Sequence, residues 1–249
     1  MYEIHSDITT PKDETAIWRY MDLSKFLNIL QNKSLFFPSA ALFEDPFEGS
    51  SPVRLIKDRP HYMEGVTKPA LEQIPDCMEK LKKWHYINCW HMNNYESAAM
   101  WKLYDKSGNG IAIVSTIGKL KAAIQNDGNK TYIGKVHYID YETEPFSPSN
   151  VMNLFFHKRL SFKHEAELRA LVVKHPPNFS GALSEYLEFQ GDIANGIIVS
   201  ICTETLIAEI RISPESPCWF YSLVRDLVNE RFGLNINVER SDLLKDPLF

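Results

Sequence analysis

The sequence predicts a single α+β domain, residues 1–249, in which short mixed strands are flanked by helices. Short apolar runs of strand-like composition are separated by short amphipathic segments, without the regular strand–helix–strand alternation of a parallel sheet. The chain is 44% hydrophobic and 24% charged, the ordinary balance of a globular domain, and its five tryptophans add material for a sizeable core. No internal repeat or low-complexity tract interrupts this pattern.

The first predicted unit is a strand, a helix and a second strand. Residues 16–21 form the first strand, and Asp22 suits the N-cap of a helix at 23–31, because its side chain accepts from free amides of the first turn. The second strand covers 34–38, where Pro38 ends it. The elements expected next are a surface segment at 50–70, helices at 70–83, 97–104 and 117–126, and strands at 86–90 and 111–114.

Alternating and apolar runs define the second half of the chain. Ser213 and Pro214 suit the start of a last helix, which runs to about Phe232, because proline is harmless at the first helical position. The other elements expected here are a strand at 135–141, a proline- and serine-rich link at 145–149, a helix at 150–160, and strands at 168–173, 195–200, 208–212 and 235–239.

Charge and hydropathy argue against two classes of protein. The net charge of −5 argues against a surface dominated by non-specific binding to duplex nucleic acid, since that binding depends on neutralising phosphates. No stretch approaches the roughly 18 apolar residues that a membrane span needs, and the first residues lack the basic and apolar regions of a signal peptide. We therefore expect a cytoplasmic protein with no membrane partner.

Two carboxylates and a cation stand at the start of the apolar run 168–173. In an extended backbone, residues i, i+2 and i+4 share one face, which places Glu165, Glu167 and Arg169 together. Converging charges at a buried strand cost desolvation energy unless they serve each other or a ligand. The alternative is a surface strand carrying a Glu–Arg pair, which contributes little to stability.

Arg19 is the second charged residue in an unusual position. It stands between Trp18 and Tyr20 in an otherwise apolar strand. Such an arginine either extends its head group to water at a sheet edge or holds a phosphate or ribose. The residues alone leave both interpretations open.

The sequence predicts no metal site. Cys89 and His91 lack the second matched pair and the ligand spacing of a zinc site. Asp140 with Glu165 and Glu167 would suit a magnesium-dependent nuclease, since carboxylates hold that ion. A lysine two residues after the acid, which would support this third interpretation, is absent.

Four segments together resemble a large bacterial family of unknown function, some of whose members are associated with phage defence. The family pattern is roughly R-Y, F-N-D-P-F-E, M-W-x-x-Y and K-x-x-x-W-x-x-E-x-E-x-R, the last of which begins at Lys158. The chain departs from it at Glu44, where asparagine is usual, and at Phe162, where tryptophan is usual. The matching segments here are Arg19–Tyr20, Phe43–Glu48, Met100–Tyr104 and Glu165–Arg169.

A more distant resemblance is to DarT-like ADP-ribosyltransferases. The strand with Arg19, followed by a helix and a strand, is similar to their opening. Ser97–Tyr104 is similar to their S-P-M-L-Y stretch, and Ala166–Glu167 before an apolar strand is similar to their A-E-F-L-V, whose glutamate is catalytic. The pair Glu165 and Glu167 also resembles the E-x-E of protein-modifying relatives, whereas no S-T-S motif is present.

This second resemblance implies an enzyme that uses NAD as a substrate, on the split sheet of ADP-ribosyltransferases. Glu167 is then the catalytic carboxylate, Glu165 prepares the acceptor, and Arg19 holds NAD. Residues 1–175 would form the catalytic core and 176–249 a C-terminal strand–strand–helix elaboration. Trp101 and Tyr104, from the similar Ser97–Tyr104 stretch, would also bind NAD. Beyond the resemblance, we expect Tyr20 to stack on nicotinamide as an alternative to Tyr104, and Lys158 and Arg169 to complete the anion pocket.

The resemblance implies a toxin or phage-defence effector whose acceptor is a protein, a nucleic acid or a nucleotide. A non-enzymatic defence module is the alternative, a sensor or an antitoxin-like partner. In that alternative the aromatic residues Trp18, Phe47 and Trp101 serve core and interface, and the charges from Glu165 to Arg169 are structural.

Overall fold

The computed structural model describes residues 1–147 and 150–248, and it confirms an α+β domain with a mixed sheet. The predicted link at 145–149 includes residues 148 and 149, which lie outside these ranges. The strands are β1 (Tyr2–Glu3), β2 (Ala16–Asp22), β3 (Ser34–Pro38), β4 (His85–Met92), β5 (Gly110–Thr116), β6 (Thr131–Lys135), β7 (His137–Ile139), β8 (His157–Arg159), β9 (Glu167–Val173), β10 (Gly196–Ser200), β11 (Glu209–Ile212) and β12 (Asn237–Arg240).

The α-helices are short and lie between these strands. A π-helical turn, Leu227–Arg231, continues the last of them, and 3₁₀ turns cover Ala40–Leu42, Val151–Phe155, Leu160–Glu165 and Asp242–Leu244. The helices are α1 (Leu23–Asn32), α2 (Val53–Tyr62), α3 (Lys68–Glu72), α4 (Ile74–Lys82), α5 (Ala98–Tyr104), α6 (Ile117–Ala123), α7 (Glu185–Glu188), α8 (Thr203–Leu206) and α9 (Cys218–Asp226).

Eight strands form one sheet in the order β1–β6–β9–β4–β2–β5–β11–β12. The outer pairs β1–β6 and β11–β12 are parallel, and the inner pairs are antiparallel. The C-terminal residues join this framework, since β11 pairs with β5 and β10 pairs with β3 in a separate two-stranded sheet. A third, parallel pair joins β7 and β8.

The sheet is buried on both faces. Helices α1, α6 and α9 supply Phe26, Leu120 and Val224 to the larger core, where they meet Leu168 of β9. On the other face Leu171 packs with α4 and α7 in a second core. Because β9 is buried on both faces and its other side chains are apolar, Glu167 and Arg169 at its start bring charge into largely apolar surroundings.

The sheet opens between β2 and β4. These strands pair only at Ile17–Met92 and Trp18–His91, whereas β2 pairs with β5 along its whole length from Ala16 to Asp22. Beyond that point β3 approaches β4 instead, through a single bridge between Ser39 and Tyr86. The eight strands therefore remain one sheet, which opens at this short junction.

Several predicted elements agree with the structure. Asp22 caps α1 by accepting from the Lys25 amide at 2.8 Å, and Ser97 caps α5 by accepting from the Met100 amide at 3.3 Å. The segment at 50–70 is not only a surface excursion, because it contains α2. The helix expected at 70–83 is divided into α3 and α4 just before Pro75, which lacks an amide donor.

The helix expected at 150–160 is wrong. The chain forms a 3₁₀ turn and then β8. The Asn153 carbonyl accepts from the Phe156 amide at 3.1 Å, as in a 3₁₀ turn, and also contacts the imidazole Nδ1 of His157 at 2.7 Å. An α-helix would need that carbonyl for the backbone amide of residue 157. The Phe156 carbonyl meanwhile accepts from the His137 amide of β7 at 2.8 Å. The strand expected at 135–141 is accordingly broken at Val136, where the chain leaves β9 for β8.

The last helix starts later than expected. Ser213 and Pro214 belong to a turn, in which the Ser216 amide donates to the Ser213 carbonyl at 3.1 Å. Helix α9 begins after Pro217, since the residue before a proline is disfavoured in the helical region.

Candidate active site

A cleft of about 530 Å³ opens where β2 and β4 separate. This volume is typical of small-molecule sites, which range from about 300 to 1,000 Å³. Side chains from β2, β4, β8, β9 and the segment 42–48 surround it. The lining residues include Trp18, Arg19, Tyr20, Asn88, Cys89, His91, Tyr104 and Phe162, together with the charged residues Glu44, Asp45, Glu48, Lys158, Arg159, Glu165, Glu167 and Arg169.

Glu167 is the first residue of β9, and its backbone is fixed on both sides. It lies opposite His91 of β4 in the antiparallel register. Its amide donates to the hydroxyl of Tyr138 at 2.7 Å, and its carbonyl accepts from the Val136 amide at 2.9 Å. These contacts determine where the carboxylate enters the cleft.

Four buried charged side chains, those of Glu48, Lys158, Glu167 and Arg169, form a closed ring of ion pairs. Lys158 Nζ lies 2.7 Å from Glu167 Oε1 and 3.3 Å from Glu48 Oε1. Arg169 Nε donates to Glu167 Oε2 at 2.8 Å, while its Nη2 pairs with Glu48 Oε2. All four side chains are less than 10% exposed. Cations and carboxylates thus alternate and compensate each other's desolvation.

Glu165 does not lie on β9, although the sequence placed it there. It ends a 3₁₀ turn, and Ala166 follows in the left-handed conformation with φ of 41°. This turn brings Glu165 Oε2 to 2.5 Å from Lys158 Nζ. The predicted convergence of Glu165, Glu167 and Arg169 is therefore present, but Lys158 joins the two glutamates rather than an extended backbone.

The two glutamates have opposite pKa shifts. Burial, followed by the hydrogen bond and the negative charge of Glu167, raises the pKa of Glu165 to about 7. Burial by itself would raise the pKa of Glu167 too, but Arg169, Glu165 and Lys158 outweigh it and hold that pKa well below its usual range. At neutral pH Glu167 is therefore ionised, whereas Glu165 exchanges its proton.

Arg19 lies on the wall of the cleft without a carboxylate partner. Its Nη1 donates to Asn88 Oδ1, and its guanidinium lies 5.7 Å from the Trp90 ring centroid. Asn88 in turn accepts from Trp90 Nε1 at 2.8 Å and donates to the Phe36 carbonyl at 2.9 Å, so its orientation is fixed. Among the ion pairs of residues 1–147 and 150–248, none includes Arg19. Burial lowers its pKa, but an arginine remains charged.

The three aromatic residues predicted for NAD occupy different positions. Tyr104 lines the cleft and is 50% exposed, so its ring is accessible to a ligand. Tyr20 also lines the cleft, but it is buried and its hydroxyl accepts from the Ser97 amide at 2.8 Å. Trp101 is buried behind it, packs edge-on against Tyr20 at 4.8 Å and donates to Glu96. Its ring therefore supports Tyr20 and is not among the lining residues.

Lys158 and Arg169 reach the cleft but are committed to protein partners. The three guanidinium nitrogens of Arg169 contact Glu167, Glu48 and, at 2.9 Å, the Phe155 carbonyl. Lys158 likewise contacts Glu48, Glu165 and Glu167. Both cations therefore bind glutamates of the cleft.

The segment Phe43–Glu48 contributes residues that the sequence analysis did not assign to the site. Asp45 receives two hydrogen bonds from Arg159, at 2.8 and 3.1 Å, and Arg159 lies 4.5 Å from the Phe47 ring centroid. The Phe43 ring lies 5.2 Å from the guanidinium of Arg169. The signal that was available is the acidic and aromatic F-E-D-P-F-E motif itself, which converges with E-x-E-x-R on one cleft.

The metal-nuclease interpretation loses one of its three carboxylates. Asp140 is absent from the lining residues, and it accepts instead from the Glu142 amide and the Thr143 hydroxyl in a turn. Across the described part of the chain, no group of three or more His, Cys, Asp or Glu side chains is arranged to hold a metal ion. The same residues include no helix that combines the length and apolarity of a membrane span.

No protein-family model and no curated protein sequence matches this chain. Solved structures of DarT from Thermus sp. 2.9 are similar to it. The complex with NAD+ gives a TM-score of 0.43 at 10% identity, covering 96% of this chain and 100% of that chain. The complex with ADP-ribosylated ssDNA gives 0.41 at 10% identity, covering 94% and 96%. Because these TM-scores lie below 0.5, the likeness carries no argument about function, and only the geometry of the cleft does.

Proposed function

We propose that this protein is an NAD-dependent ADP-ribosyltransferase-like enzyme whose active site is the cleft between β2 and β4. The observation that carries the proposal is the pair of glutamates joined by Lys158. The pKa of Glu165 is raised to about 7, whereas that of Glu167 is lowered so that this residue stays ionised. Strongly shifted carboxyl groups in a cleft are typical of catalytic sites.

Glu167 has the properties needed to stabilise the reacting ribose. Cleavage of the bond between nicotinamide and ribose builds positive charge on the ribose, and a fixed negative charge in a water-poor site lowers the energy of that transition state. Lys158, Arg169 and Glu165 already bond to the Glu167 carboxylate, which lines the cleft. In this proposal a ribose hydroxyl donates to the side of that carboxylate that faces the cleft.

Glu165 supplies the acid–base function. A general base works best when its pKa is near the working pH, and about 7 meets that condition. Nicotinamide leaves with the electron pair of the broken bond, the acceptor atom bonds to the ribose carbon, and Glu165 receives the acceptor's proton. Its position beside Glu167 on the same ammonium supports this role.

Arg19 and Tyr104 are the groups available to bind NAD. Arg19 is a desolvated cation without a carboxylate partner, and a guanidinium matches the oxygens of a phosphate. The accessible ring of Tyr104 offers a stacking surface for nicotinamide, with Tyr20 and Trp101 behind it. Lys158 and Arg169 orient Glu167 in this proposal. A toxin or phage-defence effector acting on a protein, nucleic acid or nucleotide is the biological role that we infer.

One observation favours a non-enzymatic binding module as the second candidate. Every carboxylate oxygen of Glu167 and Glu48 already contacts a cation, as in a structural ion-pair network. Such a module does not need NAD. The two candidates therefore differ in whether NAD raises the melting temperature by binding the native state.

The test uses NAD labelled in its adenine ring, incubated with the protein and, separately, with a protein mixture, single-stranded DNA, RNA or free nucleotides. Label that appears on one acceptor class, with equimolar free nicotinamide, supports a transferase and names the acceptor. Nicotinamide without labelled acceptor indicates transfer to water. Neither product in any mixture, together with no thermal shift by NAD, excludes the enzyme and leaves the binding module.

A further inference from the structure

Glu48 reaches the site from far away in the sequence. It is 6% exposed, and its two oxygens contact different cations, Lys158 Nζ at 3.3 Å and Arg169 Nη2. Both cations also contact Glu167. Glu48 is thus the second carboxylate of the ring, facing the same two partners as Glu167.

The surrounding chain is built to hold Glu48 there. The Phe47 amide donates to Asp45 Oδ1 at 3.1 Å and the Glu48 amide to the Asp45 carbonyl at 3.0 Å, which closes a tight turn. Gly49 follows with φ of 71°, a conformation that side chains rarely adopt, and a Cβ there would lie 2.9 Å from the Phe155 ring. The chain must therefore turn away immediately after Glu48, which leaves that side chain directed at the cations.

Glu48 changes how the two cations act on Glu167. A buried cation without a carboxylate partner is strongly unfavourable. If Glu48 were absent, Lys158 and Arg169 would both turn their donors toward the Glu167 carboxylate. With Glu48 present, Lys158 and Arg169 each contact both carboxylates. Each cation then contacts one oxygen of Glu167, and the rest of its donors are directed at Glu48 and not at Glu167.

We propose that Glu48 is a positioning residue of the active site, which shares Lys158 and Arg169 with Glu167 and so keeps the side of the Glu167 carboxylate that faces the cleft available to the substrate ribose. This inference rests on the proposed function. It goes beyond that function because it assigns the F-E-D-P-F-E segment to the catalytic centre through one carboxylate.

The experiment compares Glu48→Gln with Glu209→Gln, which removes a partly buried, ion-paired carboxylate on β11 that is not among the lining residues of the cleft. Nicotinamide release is measured against NAD concentration and pH. We expect Glu48→Gln to lower kcat on the order of 10- to 100-fold with little change in KM, because misplacement affects the transition state more than binding. Its pH profile moves to lower pH, since Lys158 turns toward Glu165. Glu209→Gln keeps the kcat and the pH profile of the wild type.

A structural role gives a different pattern. Equal losses of kcat in the two variants, with pH profiles identical to the wild type, overturn the inference. If circular dichroism shows that Glu48→Gln is unfolded, Glu48→Asp replaces it. The shorter aspartate keeps the charge but cannot span both cations, so a kcat equal to that of the wild type overturns the inference.

A readout without turnover separates this inference from the proposed function. Carboxyl ¹³C NMR follows the titration of Glu165 in the wild type and in Glu48→Gln, or in Glu48→Asp if only that variant folds. We expect a lower midpoint in the variant, and an unchanged midpoint contradicts the shared ring. A wild type that releases no nicotinamide but shows the midpoint difference would reject the enzyme while retaining the ring.

Discussion

Glu165 and Glu167 share one ammonium group: Lys158 Nζ lies 2.5 Å from Glu165 Oε2 and 2.7 Å from Glu167 Oε1. The left-handed conformation of Ala166 between them makes this possible, because it turns Glu165 out of the line of β9. Arg169 contacts only Glu167 of the two, so it keeps that residue ionised while Glu165 titrates near neutrality.

Replacing Glu165 by glutamine will change how stability depends on pH. The folded pKa of Glu165 is about 7, above its ordinary value of 4.5, so the native protein binds more protons than the unfolded chain between these values. The stability that Glu165 contributes is complete below about pH 4.5 and is lost as pH rises through 7. Glu165→Gln therefore gains stability relative to the wild type between pH 5 and pH 8, on the order of 2 kcal/mol.

Urea denaturation at several pH values measures this difference. The exposed Glu188→Gln is the control and follows the wild type throughout. A constant difference between Glu165→Gln and the wild type from pH 5 to pH 8 contradicts the assigned titration.

Replacing Arg19 by lysine will weaken NAD binding with little effect on the fold. Lysine keeps the charge but loses the planar donor fork that suits a diphosphate, and it cannot reproduce the contact with Asn88. We expect KM for NAD to rise about tenfold, a loss of about 1.4 kcal/mol. The thermal shift caused by NAD shrinks in parallel, whereas the surface variant Arg54→Lys retains it. Equal shifts in the two variants contradict the assignment of Arg19.

Removing the Tyr104 ring will weaken NAD binding with little effect on the stability of the fold. Tyr104 is 50% exposed in the cleft, so Tyr104→Ala costs little stability but raises KM for NAD, because a stacking surface is lost. Leu103→Ala, at a similarly exposed neighbour outside the lining residues, leaves KM unchanged. Trp101→Ala, in contrast, lowers stability by about 3–5 kcal/mol, since that ring is buried. Thermal denaturation and nicotinamide release distinguish the three.

Gly49 tests the turn that follows Glu48. Gly49→Ala places a side chain at φ of 71° and close to Phe155, so we expect it to cost about 2 kcal/mol or more. Gly128→Ala is the matched control, because a Cβ there meets no atom within 4 Å. Its free energy of unfolding stays within about 0.5 kcal/mol of the wild type. Equal stabilities of both variants argue against the strained turn.

Local sequence features predicted the elements that depend on neighbouring residues. The Asp22 cap, the strand containing Arg19 and the apolar strand after Glu167 are present, because caps and alternation act over a few positions. The helix at 150–160 failed because the Asn153 carbonyl closes a 3₁₀ turn and contacts the His157 side chain, and β7 recruits the following residues. The pairing of β7 with β8 joins residues that are distant in sequence, and the hydrophobic periodicity of one segment does not predict it.

The charged site was only partly predictable for the same reason. Glu167 and Arg169 share one face of β9, as their spacing predicted, whereas Glu165 is joined to Glu167 through Lys158 and not through the strand. Glu48 lies 121 residues from Arg169, and only folding brings the two together. The roles expected for Trp101 and Arg169 also changed, since burial behind Tyr20 and contacts with protein acceptors are tertiary properties.

Nicotinamide release by the wild type and by Glu167→Gln, followed by chromatography under identical NAD and acceptor conditions, tests the central claim most directly. We predict release by the wild type and a loss of at least about 100-fold in the variant, since glutamine lacks the charge that stabilises the ribose cation. Circular dichroism must show that the variant remains folded. Equal release by both proteins, or release by neither in the presence of every acceptor class, would contradict the assignment of Glu167.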